Sequence, residues 1–177
     1  MQTNQSLENE KTRIDTAGDL EIVLVRDFRA PKALVFEAMS KAEHVRRWFH
    51  SCPGMSLPVC EVDFRVGGKF RYVMKMEGME NAGGELSGEY TEIARPDRIV
   101  HTQRWAPVPG SDHLVTITFQ EKNGITTLTQ RLTHTSKANR DGHLHSGLDK
   151  GVEFTFTALE KVAQGLANGA PVAAHAP

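Results

Sequence analysis

Residues 141–164, DGHLHSGLDKGVEFTFTALEKVAQ, decide the fold. Leu144, Leu148, Val152, Thr155, Leu159 and Val162 recur at steps of three and four, which is one stripe of a 3.6-residue helix. A long helix with one apolar stripe needs a surface to close against, and the chain before it offers a series of short strand-like runs separated by turns. The expectation is an α+β domain in which a curved antiparallel sheet wraps around this terminal helix and leaves a space between the two layers.

Working outward, residues 125–135 carry Leu128, Gln130 and Leu132 on one face. They return across the turn Lys122-Asn123-Gly124 from residues 114–121, where Val115, Ile117 and Phe119 share a face. Residues 99–105 lie between the breaks Arg95-Pro96-Asp97 and 107–111, and residues 85–94 form the strand before them. In residues 69–76, Phe70, Tyr72, Met74 and Met76 make one bulky apolar face. Gly67-Gly68 turns into that strand from residues 59–64, and residues 77–84 turn out of it. Residues 50–58, with Pro53, Gly54 and Pro58, read as a loop.

At the other end, Ile22, Leu24, Arg26 and Phe28 alternate with Glu21, Val23, Val25 and Asp27 as a strand does. Two short helices follow. Pro31 opens the first, whose face is Leu34, Val35 and Ala38. Ser40 caps the second with Glu43 three residues on, and Trp48-Phe49 ends it. Residues 1–19 are polar and are expected as a flexible arm, 20–166 as a single domain, and 167–177 as a disordered tail.

Composition excludes several classes. The chain has 177 residues and a formal net charge of −1, so it lacks the basic excess that makes nucleic acid the default partner. No apolar run reaches the roughly 18 residues of a membrane span, and the polar N-terminus has no apolar signal core. A soluble, cytoplasmic protein is expected. Cys52 and Cys60 do not form a disulfide framework, and their spacing does not suit zinc, so both read as thiols. No nucleophile elbow, phosphate loop or HExxH helix is present, and Gly67-Gly68 is a turn.

The motif run is more specific than the composition. Arg26-Asp27-Phe28-Arg29-Ala30-Pro31, Val35-Phe36-Glu37-Ala38, Trp48, then residues 63–71, Gly88-Glu89-Tyr90-Thr91-Glu92-Ile93, and Pro96-Asp97-Arg98-Ile99-Val100 stand in order along the chain. Thr116-Ile117-Thr118-Phe119 and Gly124-Ile125-Thr126-Thr127-Leu128 continue the run. Together they resemble the bacterial family named after the activator of heat-shock-protein-90 ATPase, within the START-like, Bet v 1-like group also called SRPBCC. The resemblance spans roughly residues 20 to 164. It implies the helix-grip fold and a deep apolar pocket for a hydrophobic small molecule between sheet and helix. It implies no reaction, because the wider group includes lipid carriers, receptors and polyketide cyclases. This chain has Gly151-Val152 where relatives often carry Gly-Trp, which leaves more space in the pocket. Eukaryotic activators carry a further N-terminal domain that the polar residues 1–19 do not supply, so a chaperone partner is the third reading.

An apolar pocket binds through buried area and is oriented by a few polar groups. Trp48, Phe49 and Met55 are candidates for its rim. Phe70, Tyr72, Met74 and Tyr90 are candidates from the middle strands, Val115, Ile117 and Phe119 from a later one, and Leu148, Val152 and Thr155 from the helix. Ordinary core packing is the competing reading for the aliphatics. Tyr72, Tyr90 and Trp105 stand out, since a buried hydroxyl or indole N–H needs a partner. His101, Gln103 and Trp105 share one face of a strand. Both of its faces are half polar, so the sequence leaves open which points inward. If that face is internal, His101, Tyr72 and Tyr90 are the candidates for proton transfer, and a cyclase or hydrolase is the second reading. Glu37, Glu61 and Glu92 have no pairing pattern and read as solvated. No cofactor is expected. A metal site is not expected either, because His143 and His145 diverge by about 200 degrees on a helix, with His50, Cys52 and Cys60 the only other ligands nearby. Homodimerisation through a strand edge or the long helix is expected as a common arrangement.

Overall fold

The computed structural model describes residues 11–49 and 53–169. Strands β1 (Arg13–Ala17) and β2 (Glu21–Phe28) lead into helices α1 (Lys32–Ser40) and α2 (Ala42–Trp48). A meander follows: β3 (Met55–Val62), β4 (Lys69–Met76), β5 (Met79–Ala94), β6 (Arg98–Trp105), β7 (His113–Lys122) and β8 (Ile125–His134). Helices α3 (Lys137–Leu144) and α4 (Leu148–Ala167) close the chain. All strands join one antiparallel sheet in the order β1-β2-β8-β7-β6-β5-β4-β3. This is the α+β helix-grip arrangement, a curved sheet with a long terminal helix against its inner face.

The alternation of residues decides which face is inner. Ile22, Leu24, Arg26 and Phe28 are buried in β2, as are Val115, Ile117 and Phe119 in β7 and Leu128 and Leu132 in β8. The two-residue turn at Asn123-Gly124 sets the β7–β8 register, with Lys122 opposite Ile125. Leu159, Val162 and Ala163 of α4 complete the core, and the Phe156 ring meets Phe28 edge-on at 5.6 Å.

Several expectations need correction. The helix read over residues 141–164 is two helices. Ser136 caps α3 by accepting from the Asn139 N–H at 3.1 Å, and the chain breaks before α4 at Gly147, whose φ of +87° suits a residue without a Cβ. Gly165 does not end α4, which runs to Ala167. Residues 13–17 of the supposed flexible arm form β1, because the outer edge of β2 offers a free ladder and Ile14 packs on the core. Residues 1–10 and 170–177, the first part of the expected arm and most of the tail, lie outside the described residues. Ser40 does not cap α2. It belongs to α1 and its hydroxyl donates to the Glu37 carbonyl at 2.9 Å, while Lys41 stands at the cap position. The loop expected over 50–58 becomes strand from Met55, opposite Met76, and residues 50–52 lie outside the described residues. The turn at 77–84 shrinks to Glu77-Gly78, since β5 begins at Met79.

Candidate functional site

Helix α4 does not lie on the sheet along its whole length. It packs with α1 and α2, and Arg26, which points inward from β2, ties it to the sheet near its middle. The Arg26 guanidinium donates to Glu153 at 2.8 Å, to the Thr157 hydroxyl at 3.2 Å and to Glu160 at 3.4 Å. Burial works against the Glu153 charge, but the Thr12 N–H and the guanidinium together hold its carboxyl below the usual range. Toward its N-terminus α4 rises off the sheet, and Leu148, Val152, Thr155 and Phe156 roof a cavity of about 200 Å³.

The floor of the cavity follows from local sequence. Gly88 on β5 stands opposite Phe70 on β4. A Cβ at Gly88 would come within 2.6 Å of the Phe70 ring and 1.9 Å of the Thr102 carbonyl oxygen, so the glycine is what lets that ring lie across β5. The β5–β6 register then shifts between Tyr90 and Glu92, the signature of a bulge. Tyr90 faces His101 before the shift and Ile93 faces Ile99 after it, which keeps all four on the inner side. The result is a continuous aromatic wall. Ring centroids lie 4.9 Å apart for Phe49 and Tyr72, 5.1 Å for Phe70 and Tyr72, 5.5 Å for Phe70 and Tyr90, and 5.0 Å for Phe70 and His101.

The structure places most of the sequence candidates around this space. Trp48 and Phe49 close one side. Phe70, Tyr72, Tyr90, His101, Gln103 and Ile117 come from the sheet, and Leu148, Val152 and Thr155 from α4. The inner face of β6 is therefore the one with His101, Gln103 and Trp105, while Thr102 and Arg104 are exposed. The other candidates stand elsewhere. Val115 and Phe119 are core, with Phe119 against Phe36 at 5.5 Å. Met74 packs at the core edge, and Met55 sits beside Met76 in β3, so neither lines the cavity. Trp105 lines an adjoining cleft over β6 to β8 instead. As cavity lining, sequence reasoning missed Leu24, Met39, Phe64, Leu86, Ile99, Gln130, Leu132, His143 and Phe156. Phe156 was legible, because it follows Val152 by four residues and precedes Leu159 by three. Gln130 was legible too, since it shares the inward face of β8 with the buried Leu128 and Leu132.

The polar groups hold neutral states. Desolvation pushes the Tyr72 hydroxyl well above its ordinary pKa, and that of Tyr90 is also raised by burial. Burial pushes His101 down to about 4. Its Nδ1 lies 3.0 Å from the Thr102 carbonyl, which only accepts, so Nδ1 carries the proton and Nε2 keeps a lone pair. The Trp48 indole N–H is already satisfied by the Ala38 carbonyl at 2.8 Å. The cavity thus presents phenol donors, an imidazole acceptor and the Gln103 and Gln130 amides. None is tuned to titrate near neutral pH, as an efficient general acid or base is.

At the end of the cavity near α3, three histidines converge. His113 and His134 face each other across β7 and β8 with rings stacked at 4.9 Å, and His143 of α3 joins them. His145, which the sequence set beside His143, is exposed and turns its Nδ1 to the Asp141 carbonyl at 2.8 Å.

A sequence model of the family described as "Activator of Hsp90 ATPase homolog 1-like protein" matches residues 29–164. The chain belongs to this family. Curated proteins give no match. Among solved structures, a Nitrosomonas europaea protein is 27% identical with a TM-score of 0.72, over 86% of this chain and 99% of its own. A Rhodobacter sphaeroides protein superposes with a TM-score of 0.80 at 19% identity, covering 88% of this chain and 99% of that one. An HSP90 activator from Plasmodium falciparum aligns over 82% of this chain and 96% of its own, at 23% identity and a TM-score of 0.61. The last two show the fold alone. Family membership agrees with the START-like, SRPBCC architecture and with a fold that accommodates ligands. Among the described residues, no helix is long and apolar enough to cross a membrane.

Proposed function

We propose that this protein binds a compact hydrophobic molecule, one aromatic ring with a polar substituent, in the cavity between the sheet and α4. The observation that carries the reading is a space of about 200 Å³ walled by aromatic rings and bordered by polar groups held neutral. An apolar cavity of about 150 Å³ is enough for benzene, so a single substituted ring fits. Burying about 200 Å² of such a ligand gains roughly 5 kcal/mol. Association costs about as much, so useful affinity depends on pairing with Tyr72, Tyr90, His101 or Gln103. A cytoplasmic setting belongs to the same proposal, in keeping with the buried free thiol of Cys60.

The test is native mass spectrometry of untagged protein, with extraction and identification of what it carries, followed by NMR titration with indole. Saturable shifts at Tyr72, Tyr90 and Val152 are the expected result. Val152→Trp fills the space under α4 and should abolish them while the protein stays folded. Indole binding to Val152→Trp with the affinity of the parent would remove the cavity from the account.

A further inference from the structure

The geometry points to a three-histidine site for a divalent transition-metal ion, zinc in the first instance, formed by His113, His134 and His143. One ring nitrogen from each lies within 4.8 Å of the other two. The three come from different elements: the first residue of β7, the last of β8, and α3.

The hydrogen bonds prepare the rings as ligands. His113 Nδ1 donates to the Ser111 carbonyl at 2.8 Å, and His134 Nδ1 donates to the Leu20 carbonyl at 3.1 Å. Carbonyls accept only, so both rings are fixed in the tautomer with an unprotonated Nε2, whose lone pair now accepts from the Gln103 amide on His113 and from His143 on His134 and would turn to an ion. A backbone acceptor on the far nitrogen is the usual support of a metal-bound imidazole. His143 supplies the third nitrogen through Nδ1, which donates to His134 Nε2 at 2.9 Å. An ion at the centre replaces that hydrogen bond, and the His143 proton then resides on its Nε2.

Size and chemistry agree. Tetrahedral zinc at roughly 2.0–2.1 Å from nitrogen sets neighbouring ligand nitrogens about 3.3 Å apart, so nitrogens now within 4.8 Å of one another would draw together around the ion. Imidazole is a preferred ligand of zinc, copper, iron and nickel, whereas calcium and magnesium take oxygen. Three protein ligands leave a fourth position for water or for a ligand atom. The triad borders the cleft lined by Trp105, Asn139 and Ser146, and Leu86, Gln103 and His143 line both that cleft and the main cavity. Gln103 also places its amide nitrogen 3.3 Å from His113 Nε2. The fourth position therefore lies at the junction of the two spaces, where a phenolate or carboxylate on a cavity ligand could reach it. The metal site itself does not depend on the ligand reading.

The experiment uses untagged protein, stripped with a chelator, then titrated with zinc chloride by calorimetry and with cobalt(II) chloride by visible absorption. One ion per chain is expected, with a Kd below about 1 μM and the strong visible bands of four-coordinate cobalt. Replacing His143 on the half-buried helix α3 by His143→Ala removes a direct ligand and should weaken zinc by more than the roughly 100-fold that losing an outer partner costs, whereas His145→Ala should leave binding unchanged. His134→Ala removes a buried ring and can disturb folding, so His143→Ala and a second variant, His143→Gln, carry the comparison, with circular dichroism as the check on fold. Less than one ion per chain, or a folded His143 variant that binds zinc like the parent, overturns the site.

Discussion

His101 offers the sharpest test of how the cavity is built. Its imidazole is buried among Phe70 and Tyr90, and desolvation pushes its pKa from an ordinary 6.5 down to about 4. Between those values the unfolded chain binds a proton that the folded chain refuses. Stability is therefore fully present above pH 6.5 and is lost as the pH falls toward 4. Taking these two pKa values, the loss between pH 7.5 and 4.5 comes to roughly 2 to 3 kcal/mol from this residue alone. Replacing it by glutamine keeps a polar group and removes the titration. The assay is urea unfolding of parent and His101→Gln at a series of pH values, read as the difference of their slopes. His113, His134 and His143 are also pushed down by burial, so both proteins lose stability in acid, and only the double difference isolates His101. Parallel pH profiles for the two proteins would refute the reasoning, because they would mean that position 101 is hydrated in the folded state.

Other perturbations follow from the same geometry. Arg26→Ala leaves Glu160 without its guanidinium and unpins α4 from β2; the buried pair places the cost at about 3 kcal/mol, measurable by urea unfolding, with loosened amide exchange in residues 148–160. Gly88→Ala drives a methyl into the Thr102 carbonyl and the Phe70 ring, so it should destabilise by about 3 kcal/mol and reduce indole affinity together, whereas Gly142→Ala, where a Cβ meets open space, should do neither.

Much of the fold was legible because its signals are local. The alternation in β2, β4, β7 and β8 and the stripe Val152, Leu159, Val162 each need only neighbouring residues. Errors came where local signals compete. Ser40 and Glu43 have the letters of a capping box, yet the Ser40 hydroxyl turns back into α1. Gly147 interrupts a pattern that reads as one helix on spacing alone. The strand at residues 13–17 has too few apolar positions to announce itself and exists because β2 has an open edge.

The site shows the same division more sharply. The hairpin at Asn123-Gly124 pairs residues whose numbers sum alike, so the facing of His113 and His134 was present in the sequence for a reader who counted from the turn. The inner face of β6 was not, since the break after Trp105 is long and fixes no register. By itself the sequence determined the periodicities, the turns and hence the layered architecture, all of which depend on interactions within a few residues. Only the tertiary structure decided that a cavity opens between α4 and the sheet, which rings wall it, and that His143 meets partners nine and thirty positions away. Those are consequences of sheet curvature, the bulge at Thr91 and the anchoring of Arg26, and such long-range packing leaves no periodic trace in the chain.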